Sequence, residues 1–256
     1  MKESDGAWVG GLDDEGAREL AVDLLRYFEA ANALMPEKVE GISIASAWLS
    51  MLDSSEPSHA AAATLQERIT QHSGGSAWHE LQRGLAAWTR WRWGGPFEFE
   101  YKLTGSGWSE AYIGQAGQWL RPTASYLTDA LRAFVSAVIA VLQGHERVAC
   151  IWEEEPGEFL WLFERERDLV DLKVIWRSGW SAQPSDLDQW FTPPENVVGD
   201  LKLRLRSSPA AIGRGVLVAL DRLLSDVGRT GYEQSWGKPF PEAQYQQLRR
   251  LVGKHD

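Results

Sequence analysis

The stretch GGPFEFEYKL, Gly94 to Leu103, is where the chain changes period. Phe97, Phe99, Tyr101 and Leu103 alternate with Glu98, Glu100 and Lys102, the two-residue repeat of a strand with one face in a core and the other in water. TGSG at 104–107 then turns the chain into a second strand near Trp108–Ile113, so this region reads as a β-hairpin. The Gly-Gly-Pro in front of it punctuates whatever precedes.

Upstream the repeat is helical. Within 14–32, Ala17, Leu20, Ala21, Leu24, Phe28 and Ala31 fall on one stripe, with Asp13 and Asp14 at the end favourable to negative charge. Further helices are predicted near 44–52, 58–72 and 76–91, separated by SSEPS and SGG. Residues 1–94 therefore read as a helical segment or small helical subdomain, and 95–256 as an α+β domain.

Downstream, a strong helix is expected over about 124–143, with Leu127, Leu131, Phe134, Val135, Val138, Ile139 and Leu142 on one face and Gly144 as its stop. Strands are predicted at 147–154, 158–165 and 169–177, with EEPGE and RERD as their turns. DLKLRLR at 200–206 alternates as another half-buried strand. Ser208 and Pro209 then start a helix that runs to Val227, with Gly228 past its end, and a short amphipathic helix closes the chain. The expected fold is an antiparallel sheet of about six strands backed by two long helices, with the helical segment in front.

Fourteen tryptophans in 256 residues and a net charge of −10 are the unusual features of the composition. An acidic surface repels nucleic acid and anionic lipid and speeds encounter with a basic protein. The run WTRWRW, Trp88–Trp93, has the composition of a base-stacking site, but 1–94 carries 8 basic against 14 acidic side chains. Pairing of its arginines with tryptophans or carboxylates is expected instead of nucleic-acid binding. The single cysteine, Cys150, permits no intrachain disulfide and sits in an apolar run. With no secretory signal and no apolar stretch of membrane-spanning length, a cytoplasmic protein is expected.

The chemistry turns on CIWEEEPGEFLWLFERE, Cys150–Glu166. Glu153 and Glu155 at strand spacing would point to one side, and such a pair, with Asp168 or Asp171, could share a proton or hold a hard cation. No Asp-x-Asp loop, His pair or HExxH helix accompanies them. The other reading is a solvated hairpin tip, Glu153, Glu154, Glu155 and Glu158 around Pro156-Gly157, that meets a partner together with Trp180, Trp190 and Phe191 of the loop 178–196. No metal and no cofactor is expected.

The stretches ASYLTDALRAFVSAVIAVLQG, WEEEPGEFLWLFERERDLVDLKVIW and GYEQSWGKPFPEAQYQQLRRL together resemble a loosely defined set of bacterial α+β proteins of the kind found among immunity proteins of polymorphic toxin systems. The resemblance covers about 97–256 and transfers no catalytic residue. It implies a cytoplasmic immunity protein that binds and neutralises a basic secreted toxin domain. A hydrolase or metal-dependent enzyme using Glu153 and Glu155, and a scaffold that senses a peptide or small ligand through a Trp-rich groove, are the alternatives.

Overall fold

The computed structural model describes residues 12–31, 37–72, 75–105, 107–115, 118–179, 190–193 and 195–254. The chain divides into two compact units, Met1–Gly94 and Gly95–Asp256.

The first unit holds α1 (Asp14–Ala30), α2 (Glu37–Leu52), α3 (His59–Thr70) and α4 (Ser76–Trp93). Asp13 caps α1 by accepting the Gly16 N–H at 2.9 Å, and Ser58 caps α3 by accepting that of Ala61 at 3.2 Å. The stripe Ala17, Ala21, Leu24 and Phe28 of α1 packs in one core with Ile44 and Trp48 of α2, Leu65 and Ile69 of α3, and Trp78, Leu81, Leu85 and Trp88 of α4. WTRWRW is structural here: the Trp88 indole donates to Asp14 Oδ1 at 2.8 Å and Arg92 donates to Asp14 Oδ2 at 3.2 Å, tying α4 to the start of α1.

The second unit is α+β. It runs β1 (Glu98–Gly105), β2 (Trp108–Gln115), β3 (Gln118–Leu120), β4 (Thr123–Ser125), α5 (Ala130–Leu142), β5 (Arg147–Glu154), β6 (Gly157–Glu166), β7 (Leu169–Ser178), β8 (Asp200–Ser207), α6 (Pro209–Trp236) and α7 (Glu242–Val252). The single six-stranded sheet expected from the sequence is replaced, among the described residues, by two antiparallel sheets of four strands. One is β1-β2-β3 with β4 also on β2, and the other is β5-β6-β7-β8. The two added strands, β3 and β4, have three residues each, too few to show an alternation. The Gly95 N–H and the Gln115 side chain both donate to the Arg206 carbonyl, at 3.1 and 2.8 Å, and the Thr123 hydroxyl donates to Glu154, so the sheets are stitched at two places.

Helix α5 begins at Ala130, not at 124, because Thr123, Ala124 and Ser125 pair with Glu110, Ser109 and Trp108 of β2. Tertiary pairing overrides the helical pattern there. Eleven of its thirteen residues are buried, as suits a helix apolar on all sides. Its Phe134 ring lies 4.8 Å from Phe99 of the first sheet and 4.8 Å from Trp161 of the second. Both sheets therefore close on one core.

Ser208 caps α6 through the Ala211 N–H at 3.1 Å, and Pro209 takes its first position. Gly228 does not end α6: at φ 65° and ψ 176° it kinks the helix, which resumes and carries Tyr232 and Trp236 into the core. A side chain at that φ is strained, and glycine is not. Tyr245 donates to Asp221 at 2.7 Å and Arg229 to Glu242 at 2.7 Å, which docks α7 on α6. Among the described residues no helix is long and apolar enough to cross a membrane. Cys150 is fully buried, and that burial pushes its thiol well above the ordinary range, the setting of an inert cysteine.

The kink brings Tyr232 beside Tyr101 of β1, with Ser109 and Asp129 close by. Arg132 donates to the Asp129 carboxylate at 2.6 Å. Burial above all, and the Asp129 charge with it, raise both phenols above their ordinary value. The unfolded chain then releases these protons first, so stability is full below about pH 10 and falls as pH rises beyond it. Each phenol adds about 1.4 kcal/mol per pH unit to that fall; the buried Cys150 thiol contributes in the same direction from a lower pH. Urea midpoints followed from pH 9 upward are expected to show the decline, flattened in Tyr101→Phe/Tyr232→Phe. An unchanged slope in that double variant would remove the phenols from the account.

Candidate functional site

The acidic hairpin is not the solvated tip expected from the sequence. Glu153 of β5 stands directly opposite Glu158 of β6, which stands opposite Arg177 of β7. Glu153 and Glu158 are buried, and Arg177 holds the Glu158 carboxylate at 2.6 Å. The cause is that the second sheet is covered on both faces. Val148, Cys150 and Trp152 pack in the core with α5, while Ala149, Ile151, Leu160, Leu162 and Ile175 form a second apolar band against Phe191 and Val197. Glu153 and Glu158 lie at one end of that second face. At its other end run the ion pairs Arg147–Glu164 at 2.9 Å, Lys173–Glu164 at 2.6 Å and Arg204–Asp171 at 2.8 Å. Asp171, a candidate catalytic carboxylate in the sequence, is thus occupied by Arg204, which donates to both its oxygens.

Glu154 lies on the first face and accepts the Thr123 hydroxyl, and Glu155 is exposed at the turn. Glu153 is thus buried in the sheet while Glu155 stands in solvent, so the two carboxylates do not share one environment. Trp190 and Phe191 are half-buried: the Trp190 ring is 4.8 Å from His145, and the Phe191 backbone pairs with Ala149 at 2.9 and 2.8 Å. Ala149 is four residues along β5 from Glu153, about 13 Å, so these rings do not stand beside the hairpin end. Trp180 lies outside the described residues. Among the described residues no three His, Cys, Asp or Glu are grouped to hold a metal.

One open surface of the second unit is the outer face of the first sheet. Inward, Phe99, Tyr101, Ala111, Ile113 and Ala124 are buried; outward stand Glu98, Glu100 and Lys102 of β1 and Glu110 and Tyr112 of β2. Register places Tyr112 opposite Glu100, Glu110 opposite Lys102 and Thr123, and Gly114 opposite Glu98 and Trp119. Gly114 has a reason: a Cβ there would lie 2.9 Å from the Tyr112 hydroxyl and 3.0 Å from the Gln118 carbonyl. With no side chain in the way, Tyr112 leans across to stack on Trp119, ring centroids 6.2 Å apart and planes 22° apart. Arg121 lies over the Trp119 ring at 5.5 Å, and Trp119 is 56% exposed.

Carboxylates frame this stack. The Tyr112 hydroxyl donates to Glu98 at 3.3 Å, and Glu100 accepts Arg222 of α6 at 3.1 Å and faces Lys102 at 3.5 Å. Burial first, then Glu98 and Glu100, push the Tyr112 phenol upward against the opposing pull of Arg121. The alternation of β1 carried the signal for Glu98 and Glu100. Tyr112 shares the outward parity of Glu110, the one local sign of its place, whereas nothing in the sequence joins it to Trp119.

No family model, curated protein or solved structure matches this chain.

Proposed function

We propose that this protein is a binding protein, an immunity-type inhibitor that captures and neutralises a basic toxin domain, and that it does so through the outer face of its first sheet instead of the Glu153–Glu158 hairpin. The observation that carries the reading is the exposed Tyr112–Trp119–Arg121 stack. Trp, Tyr and Arg are the side chains most enriched at binding hot spots, and here Tyr112 and Trp119 are pre-ordered on a hydrogen-bonded sheet with Arg121 one residue past β3, which lowers the entropy lost on binding. The net charge of −10 favours a basic partner by steering. Ion pairs that are individually weak in water set orientation more than affinity.

The test is co-expression with the product of the adjacent gene. Rescue from its toxicity and co-elution of a stable complex are expected, with both lost in a Trp119→Ala/Arg121→Ala variant that keeps the wild-type circular dichroism spectrum. A product that is harmless and forms no complex would remove the immunity reading. A complex indifferent to the variant would move the interface off this face.

A further inference from the structure

Three hydroxyls are buried close together where the kinked end of α6 meets the first sheet: Tyr101 of β1, Ser109 of β2 and Tyr232 of α6, none more than 4% exposed. Tyr101 stands opposite Ala111 and Ser109 opposite Leu103, so the two are diagonal neighbours on the inward face of the hairpin. Ser109 and Tyr232 are near enough to act on the Tyr101 phenol, with Asp129 at the edge of the group. Yet among the described residues none of the three hydroxyls has a partner at hydrogen-bond length.

A buried hydroxyl without a bond costs more than a typical hydrogen bond contributes, and three around one point weigh heavily on a marginally stable fold. Small shifts of the side chains do not close the gaps. The Tyr101 ring is fixed edge-on against Trp152 with centroids 5.9 Å apart, and the Tyr232 ring edge-on against Phe240 at 5.5 Å. Ser109 lies on a strand paired on both sides, with β1 and with β4. Polar groups that face one another beyond hydrogen-bond length are the setting of a bridging water. A buried water makes about three hydrogen bonds, and each of these hydroxyls both donates and accepts, so one molecule serves all three. The only charges at the edge of the group, Asp129 and Arg132, already hold each other at 2.6 Å, which favours a neutral ligand over an ion.

We propose that Tyr101, Ser109 and Tyr232 form a buried binding site for a single water molecule, and that this water joins the end of α6 to the first sheet. The backbone supplies a second tie there, from the Gly107 N–H to the Ser235 carbonyl at 3.1 Å. With the water in place, α6 carries a phenol into the core beyond Gly228 without leaving its hydroxyl bare. The site lies on the inward side of the sheet and does not depend on the protein-binding reading of the outer face.

Water held longer than the tumbling time of the protein is counted on the full chain by magnetic relaxation dispersion of the water oxygen. Tyr101→Phe/Tyr232→Phe is expected to lose about one such water relative to the parent, and Tyr27→Phe, at a phenol 56% exposed, to lose none. An equal count in the parent and the double variant would overturn the proposal. A crystal structure of the parent tests the site without any variant, so it decides the matter even where the double variant does not fold. A water oxygen within about 3 Å of all three hydroxyls is expected there. Direct bonds among the hydroxyls, with no water between them, would overturn the proposal.

Discussion

Arg177→Leu is expected to lose about 3–5 kcal/mol of folding stability, read as a large drop in the urea midpoint at constant slope. The Glu158 carboxylate is fully buried, Arg177 holds it at 2.6 Å, and Glu153, also buried, stands directly across the strand pair. Taking away the guanidinium removes the cation 2.6 Å from a fully buried carboxylate that has Glu153 across the strand pair, and the weaker compensation of that buried charge, more than the lost contact, is the source of the cost. Two comparisons separate this account from simple loss of packing. Arg177→Leu/Glu158→Leu removes both charges and is expected to recover a large part of the loss, which a double-mutant cycle reports as strong non-additivity. Glu155→Gln, at the exposed turn, is expected to change stability by no more than about 0.5 kcal/mol. If Arg177→Leu is as stable as the parent, or if the double variant is merely additive, the ion pair is not what anchors this end of the sheet.

The contrast between Glu155 and its neighbours marks the limit of what alternation reveals. A period of two assigns Glu153 and Glu158 to one face of a strand, but it does not say whether that face is wet. In β1 the outward face is open and the reading holds: Glu98 and Glu100 stand where FEFEYKL places them. In β5 and β6 both faces are covered, the second by a connection that reaches back so that Phe191 pairs with Ala149. A long-range contact of that kind leaves no local pattern. The same distinction runs through the helices. Helices α1, α3 and α4 announce themselves by apolar spacing, whereas α2 begins at Glu37, seven residues before the 44–52 expected of it, and the start expected of α5 is lost where 123–125 pair with β2, a competitor distant in sequence. Gly228 was legible as a break and not as a kink, because the difference depends on whether Tyr232 and Trp236 find a core beyond it. At the candidate site the carboxylates were legible and the aromatic stack was not. Tyr112 and Trp119 meet through a three-residue strand and a glycine gap that only the register discloses.

Trp119→Ala is expected to weaken the complex with the proposed toxin partner by about 2–4 kcal/mol, roughly 30- to 1000-fold in Kd, while leaving the free protein within about 0.5 kcal/mol of its parent stability. In the free chain Trp119 is 56% exposed and touches Tyr112 and Arg121, so its removal creates no buried cavity. In the complex the same ring would be taken from water with its neighbours already in place, and a large apolar face buried at little entropic cost is what makes a hot spot. The loss belongs mainly in the dissociation rate, because contacts made after encounter set residence time. Glu98→Gln/Glu110→Gln should behave in the opposite way: slower association at low salt, converging on the parent as added salt screens charge over the Debye length of about 10 Å at 0.1 M. Stopped-flow and surface-plasmon measurements on the two variants at several salt concentrations separate these effects. A Trp119→Ala complex that dissociates at the parental rate would show that the exposed stack is not the anchor, however well its residue types fit that role.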